Sequence, residues 1–361
     1  MSVQKGFFRV CLGIIALLLI VYLTAKISFI FHPLLTIFNI LIVPFMLAGF
    51  CYYLLRPIVN AMVRRRLNKV FSILLIYVLV AAILGLFVAV VWPTLQTQVE
   101  NFVKGAPDLI ESFQRQLDRL QDNRMLSSFV DKDTDVSAKL SEYLNDAITA
   151  ASNYVSNIVS IVTNFFIIIA TVPIILYYML KESDHIPTSI LHVIPRRYRK
   201  DGKDVLADID SALSGFIVGR VIITCLLAIM LYVGFLIIGL PYSLLLAIAA
   251  FFLNIIPYIG QFLGAIPTII VAFTVSPTMV FWVVVVTLIA QQIEGNVLSP
   301  SIYGRRLDIH PLTTIVLLLV AGEIAGFLGI ILAIPAYMVV KIIVVRVYRL
   351  FLAEKVEELV D

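Results

Sequence analysis

Long apolar runs, parted by short polar and mostly basic interruptions, fill this chain, and their spacing predicts helices that cross a bilayer. A helical span takes about 20 mostly apolar residues. Runs of that kind lie at 7–25, 29–55, 70–92, 158–180 and 214–238. Further apolar stretches follow at 242–260, 262–276, 278–295 and 312–345. The last is too long for one perpendicular crossing and too short for two. The pattern therefore predicts an all-α, polytopic helical membrane protein with about eight spans and with broken or re-entrant helices in its C-terminal third. The first run has no small-x-small cleavage site and another run follows almost at once, so it reads as a retained span.

The polar remainder divides the chain. Residues 1–93 hold three spans, 94–157 form an extracytoplasmic amphipathic segment, and 158–180 form the fourth span. A cytoplasmic linker, 181–213, carries six acids and six bases, and its second half, 199–213, is expected to form an amphipathic helix on the membrane surface. Residues 214–349 are the core with broken helices, and 350–361 a cytoplasmic tail. In the polar segment, Leu109, Phe113, Leu117 and Leu120 form one helical stripe. A second runs from Val136 through Leu140, Tyr143, Ala147, Ala151 and Tyr154 to Ile158. Such a narrow seam suits packing on the protein's own membrane domain, or on a second copy in a homo-oligomer. The acidic run at 131–135 lacks the glycine and downstream glutamate of a calcium loop and reads as a solvated turn.

The polar interruptions of the last third are chemically the most telling. In lipid every backbone N–H and C=O needs an internal partner, so a helix broken at membrane depth survives only against protein or a wet cavity. Breaks are expected at Pro257, Gly260, Gly264 and Pro267, and again at Gly322 and Gly326. Beside them stand Asn254, Gln261, Gln291, Glu294 and Glu323, taken as candidate pathway groups. Each also has a plainer role. The amides of Asn254 and Gln261 would bond carbonyls freed by Pro257, Glu294 would pair with Arg305 or Arg306, and Glu323 would cap a half-helix. Arg220 is expected to snorkel to the interface, and Gly215 and Gly219 to mark a helix contact.

Composition agrees: 61% of residues are hydrophobic and 14% charged, against about 25% charged in soluble domains. The net charge is +4, but the bases sit in blocks between spans, which suits membrane orientation and not nucleic acid. An inside N-terminus puts Lys5, Arg9, the Arg56–Lys69 block and the Arg196–Lys203 block in the cytoplasm. For Lys341, Arg346 and Arg349 to join them, 312–345 must double back, turning within 322–329. Alternatively 262–276 is re-entrant and 312–345 crosses once. Cys11, Cys51 and Cys225 lie in apolar runs without metal-ligand spacing, and no P-loop, HExxH or GxSxG occurs. No enzyme activity, metal or cofactor is expected.

Three stretches resemble the AI-2E (autoinducer-2 exporter) transporter family: GLPYSLLLAIAAFFLNIIPYIGQFLGAIP at 239–267, QQIEGNVLSPSIYGRRLDIHPL at 291–312 and AGEIAGFLGIILAIP at 321–335. The order of spans agrees over nearly the whole chain. The resemblance implies a permease of the bacterial inner membrane, with both termini inside, that exports autoinducer-2 or exchanges sodium or lithium for protons. The expected partners are the lipid bilayer, a small polar solute or monovalent cation, and protons. The rival expectation is an oligomeric scaffold or passive pore, without ion coupling, assembled through 136–158.

Overall fold

Apolar sequence with good helix formers and few internal glycines gives helices throughout, and no strand occurs among the described residues. The computed structural model describes residues 28–105, 158–303 and 309–349, with isolated positions at 13, 19, 107, 108, 111, 112 and 115. The expected first span, the two stripes of the polar segment, Arg305, Arg306 and the tail therefore lie outside the described residues or nearly so. The helices are α1 (Ser28–Arg64), α2 (Lys69–Lys104), α3 (Ile158–Lys181) and the short α4 (Ile186–Val193), then α5 (Arg199–Ile237), α6 (Ser243–Leu253), α7 (Ile259–Val275) and α8 (Pro277–Ile293). A π-helical turn, Glu294–Leu298, links α8 to α9 (Ser299–Tyr303), and α10 covers Pro311–Tyr348.

Helix starts follow local chemistry. Asn68 accepts from the Val70 N–H at 3.1 Å to cap α2. Ser276 accepts from the Met279 N–H at 3.1 Å ahead of Pro277, and His310 accepts from the Leu312 N–H at 3.2 Å ahead of Pro311. Each cap satisfies a donor that the first helical turn leaves unpaired.

The outer surface is hydrocarbon. Val78, Ile83, Leu86 and Val90 of α2 are each more than half exposed, a distribution that only lipid makes favourable. Five stretches among the described residues are long and apolar enough to cross a membrane. Two packing units result. Ala48, Tyr52 and Val59 of α1 bury against Ile73 and Ile76 of α2 and Leu176 and Leu180 of α3. Leu227, Leu231 and Phe235 of α5 bury against α6, α7 and α8. Phe216 and Ile217 of α5, with Ile334 and Met338 of α10, bridge the units through Phe50 and Tyr53.

The basic blocks converge on one end. Arg56 bonds Asp210, Lys69 lies 2.6 Å from Asp184, and Arg346 lies 2.8 Å from Asp201 and 3.3 Å from Asp204. The ends of α1 and α10 and the start of α2 are thus tied to the segment between α3 and the middle of α5. That segment corrects one expectation. Residues 199–213 are not a separate surface helix, because α5 runs unbroken from Arg199 to Ile237.

Two helical hairpins complete the fold. The first joins α6 and α7. Tyr242, just before α6, packs edge-on against Phe102 with ring centroids 5.4 Å apart, at the end of α2 remote from Lys69. From there α6 runs inward for 11 residues, about 16 Å, well short of a hydrocarbon core of about 30 Å. The chain turns at 254–258 and α7 returns. The second hairpin is α10 itself. Ala325 (φ −135°, ψ 17°) and Gly326 (φ 59°, ψ −144°) leave the helical region, so the arms Pro311–Gly326 and Gly329–Tyr348 fold back on each other. Gly326 adopts a backbone conformation open essentially to glycine alone. Both ends of α10 lie at the basic end, so the two hairpins enter from opposite ends and meet where Ile256 packs on Leu318 and Ala333. The doubling back of 312–345 agrees with the favoured topology. The expected break at Pro257 falls within the turn at 254–258, whereas Gly260 is already in the first turn of α7.

The other expected breaks are contacts. Gly264 and Pro267 lie within α7. A Cβ on Gly264 would stand 3.5 Å from Ala250 Cα, ordinary van der Waals contact between the two arms. A Cβ on Gly322 would stand 3.1 Å from Ile330 Cγ1 across the α10 hairpin.

Candidate functional site

The tip of the first hairpin is built by backbone strain. Ile259 N–H donates to Pro257 O at 2.7 Å, closing a three-residue γ-turn around Tyr258 (φ 64°, ψ −48°). This turn is rare and strained for a residue with a side chain. Gly260 is required next to it, since a Cβ there would fall 1.9 Å from the Leu253 carbonyl oxygen. The carbonyl end of α6, where a helix carries partial negative charge, abuts this turn.

Arg220 meets that end. It is 9% exposed. Its Nη2 donates to the backbone carbonyl of Asn254, and its Nη1 donates to Glu294 Oε1 at 3.3 Å. The two side chains are 11% and 13% exposed. Arg220 lies 21 residues into α5, about 32 Å from its start, and so sits in the middle of the bundle. The snorkelling expectation fails because the helix begins 15 residues before the expected span. Glu294 opens the π-turn, in which Ser299 N–H donates to Glu294 O. A turn widened in this way commonly marks a functional position.

A cavity of about 600 Å³ opens around the pair. Gln261 of α7, Gln291 and Gln292 of α8, and Glu294 face it, with Ser299 and Tyr303 beyond the π-turn. Tyr258 and Pro257 contribute the hairpin tip, and Phe216 and Ile334 an apolar wall. The Tyr303 ring lies nearly parallel to Phe216, 6.3 Å between centroids. It occupies the space beside Gly219, whose Cβ would fall 2.6 Å from Tyr303 Cε1. Gly219 is therefore a helix contact, as its spacing suggested, whereas a Cβ on Gly215 would meet nothing within 4 Å.

Gln261, Gln291 and Glu294, expected as pathway groups, thus come together at one cavity. Asn254 lies beside it in another role. Its side chain is buried and donates through Nδ2 to Ala250 O at 2.8 Å, a carbonyl that also accepts the Asn254 backbone N–H and is not one freed by Pro257, while its backbone carbonyl holds Arg220. Glu323 lies apart, exposed in the last turn before the α10 bend. Arg220, Gln292, Ser299, Tyr258 and Tyr303 were not among the expected groups. The signal that could have found Arg220 is charge balance: an acid inside an apolar helix needs a buried cation, and Arg220 is the basic residue within the fifth apolar run.

Discontinuous helices gathered round a polar cavity, within a shell of lipid-facing residues, define a polytopic helical permease. The profile of the family described as AI-2E family transporter matches residues 13–349. The chain belongs to that family, and its function is membrane transport. It is 35% identical to YueF of Bacillus subtilis (strain 168), over 94% of this chain and 93% of the relative. It is 30% identical to YrrI of the same organism, over 92% and 94%. Both are named for transport without a substrate. It is 25% identical to the AI-2 transport protein TqsA of Escherichia coli (strain K12), over 84% and 85%.

Proposed function

We propose that the cavity beside Arg220 is the solute station of a secondary permease and takes a small, neutral, polar molecule with several hydroxyls, such as autoinducer-2. One observation carries this reading. Among the described residues, the one carboxylate facing the cavity is already paired with Arg220 at 3.3 Å, and the other polar side chains there are amides and hydroxyls, among them Gln261, Gln291, Gln292, Ser299 and Tyr303. Neutral donors and acceptors of this kind match a polyol better than a bare ion, which needs several carboxylate or carbonyl oxygens at once. The name of the relative TqsA, an AI-2 transport protein, supports the same solute. The basic end is the cytoplasmic face of a bacterial inner membrane on this reading, in keeping with the excess of Lys and Arg there.

A second reading, exchange of sodium or lithium for protons, rests on Glu294 as carrier. It requires the Arg220 pair to open. Proteoliposomes separate the two. The first reading expects saturable autoinducer-2 flux that falls with Gln261→Leu and Gln291→Leu. The second expects sodium or lithium movement that a pH gradient drives and Glu294→Gln abolishes. Flux of neither solute nor ions above that of empty liposomes would sink both and favour the scaffold alternative.

A further inference from the structure

The short helix α4 turns an apolar face outward. Ile186, Ile190 and Val193 lie four and three residues apart and so share one face. All three are exposed, Val193 at 87%. The polar side chains lie elsewhere on the helix and bond its own carbonyls. Thr188 Oγ1 donates to His185 O at 2.6 Å, Ser189 Oγ donates to the same carbonyl at 3.1 Å, and His192 Nδ1 lies 2.7 Å from Thr188 O. Leu191 and Ile194 pack on α5, where a Cβ on Gly202 would fall 2.7 Å from Ile194 Cδ1 and 3.2 Å from Leu191 Cδ2. Packing within the molecule thus accounts for Leu191 and Ile194, and leaves the Ile186 face without a cover among the described residues.

The level of α4 is fixed at both ends. Lys69 opens α2, whose Phe71 and Leu74 are already exposed on the apolar surface. Its Nζ donates to Ser183 Oγ at 3.0 Å and to Asp184 Oδ2 at 2.6 Å, just before α4 begins. At the other end, Gly202 stands eight residues, about 12 Å, before Asp210. Asp210 bonds Arg56, itself eight residues before Arg64 at the end of α1. Because α1 runs toward the basic end and α5 away from it, Gly202 is level with Arg64. The helix α4 therefore lies across the bundle axis, in the plane of the α1–α2 loop, where the hydrocarbon surface ends. Cations follow it closely: Arg196, Arg197, Lys200 and Lys203 come within ten residues of Val193. None of the four forms an ion pair among the described residues.

We propose that α4 is an interfacial anchor: Ile186, Ile190 and Val193 enter the acyl boundary of the leaflet at the basic end, and Arg196, Arg197 and Lys200 attract anionic lipid headgroups beside it. An apolar helix face with basic residues next to it, lying in the interface plane, is how a helix binds an anionic membrane surface. Level and charge together select lipid over protein. A face meant for a protein partner would stand clear of the headgroups, whereas this one lies where α2 becomes lipid-facing. Eight residues would hold a membrane weakly alone, but α4 is tethered between α3 and α5. Its contact with Gly202 passes the hold to the start of the helix that carries Arg220.

Fluorescence quenching tests this in the full chain. The two native tryptophans, Trp92 and Trp282, are replaced by Phe, and a single reporter is introduced as Val193→Trp or, on the polar side of α4, as Thr188→Trp. Each variant is reconstituted in phosphatidylcholine vesicles containing a minor fraction of phosphatidylglycerol, with brominated acyl chains on one lipid or the other. The Val193→Trp reporter is expected to be quenched at least about twofold more than the Thr188→Trp reporter. Per brominated lipid, phosphatidylglycerol should quench it more than phosphatidylcholine. Adding Arg196→Gln/Arg197→Gln/Lys200→Gln should bring that ratio to about one, whereas Arg196→Lys/Arg197→Lys/Lys200→Arg should keep it, which separates charge from folding. A Val193→Trp reporter that emits as in water and escapes quenching overturns the proposal and leaves the face to a protein partner. Equal quenching of the two reporters also overturns it, since α4 would then have no membrane-facing side. A phosphatidylglycerol preference that survives the Gln variant overturns the role given to Arg196, Arg197 and Lys200.

Discussion

Arg220 and Glu294, 74 positions apart in the chain, meet at 3.3 Å in the middle of the bundle. The contact joins three elements that continuous helices would have kept separate: the centre of α5, the carbonyl end of α6 and the π-turn after α8. It places a neutralised ion pair beside a cavity otherwise lined by amides, hydroxyls and apolar groups.

Removing one partner alone leaves the other charge buried and uncompensated, a loss of about 3–5 kcal/mol. Arg220→Gln and Glu294→Gln should each lower the melting temperature of the purified protein, and the double variant should recover much of that loss. Strictly additive losses in the double variant would mean that the two side chains do not interact.

The hairpins demand glycine where backbone approaches backbone. A Cβ on Gly260 would fall 1.9 Å from Leu253 O, and one on Gly329 would fall 2.0 Å from Ala321 O. Gly260→Ala and Gly329→Ala should sharply reduce the yield of monodisperse protein. Gly49→Ala, where a Cβ meets nothing within 4 Å, should be neutral or stabilise by up to about 1 kcal/mol through helix propensity. Normal yields for all three would contradict the hairpin turns.

Transport should separate Glu323 from Gln261. Glu323→Gln is expected to leave autoinducer-2 flux unchanged, since Glu323 lies outside the cavity. Gln261→Leu should lower flux about tenfold, the effect of one lost hydrogen bond of about 1.4 kcal/mol. Initial rates in proteoliposomes check both, and a loss with Glu323→Gln would bring the α10 tip into the pathway.

At the basic end, the hydrogen bond from Lys69 Nζ to Asp184 holds the Asp184 carboxyl below its usual range, desolvation opposing only in part. A depressed carboxylate pKa stabilises above the unfolded value, about 3.9, and that contribution is lost as pH falls through the lower, folded value. The protection factor of the 182–186 turn against hydrogen exchange should therefore be flat near neutrality and smaller below about pH 4. Asp184→Asn should abolish this dependence, and salt should weaken it, because the pair is exposed.

Much of the architecture was legible as pattern. Runs of about 20 apolar residues are spans because lipid leaves no alternative for an unpaired backbone. The parity of the basic blocks favoured a doubling back of 312–345 over a re-entrant 262–276, and the backbone of α10 turns at Gly326. The amides and the acid after residue 250 fall in the third of the chain that supplies most of the cavity lining.

What the linear pattern could not supply is distance. Hydropathy locates a helix end by where polar residues begin, yet α5 continues 15 residues into a charged segment because Asp201, Asp204 and Asp210 find cations on other helices. That extension moves Arg220 from an apparent edge to the centre, where it becomes the partner of Glu294. Likewise Gln261 and Glu323 look alike as polar residues in apolar sequence, but one hairpin turns Gln261 to the cavity and the other carries Glu323 away from it. Burial in a membrane fixes which segments must be helical through local chemistry alone. Which buried charges meet depends on how those helices cross, and that is set by contacts between residues far apart in the chain.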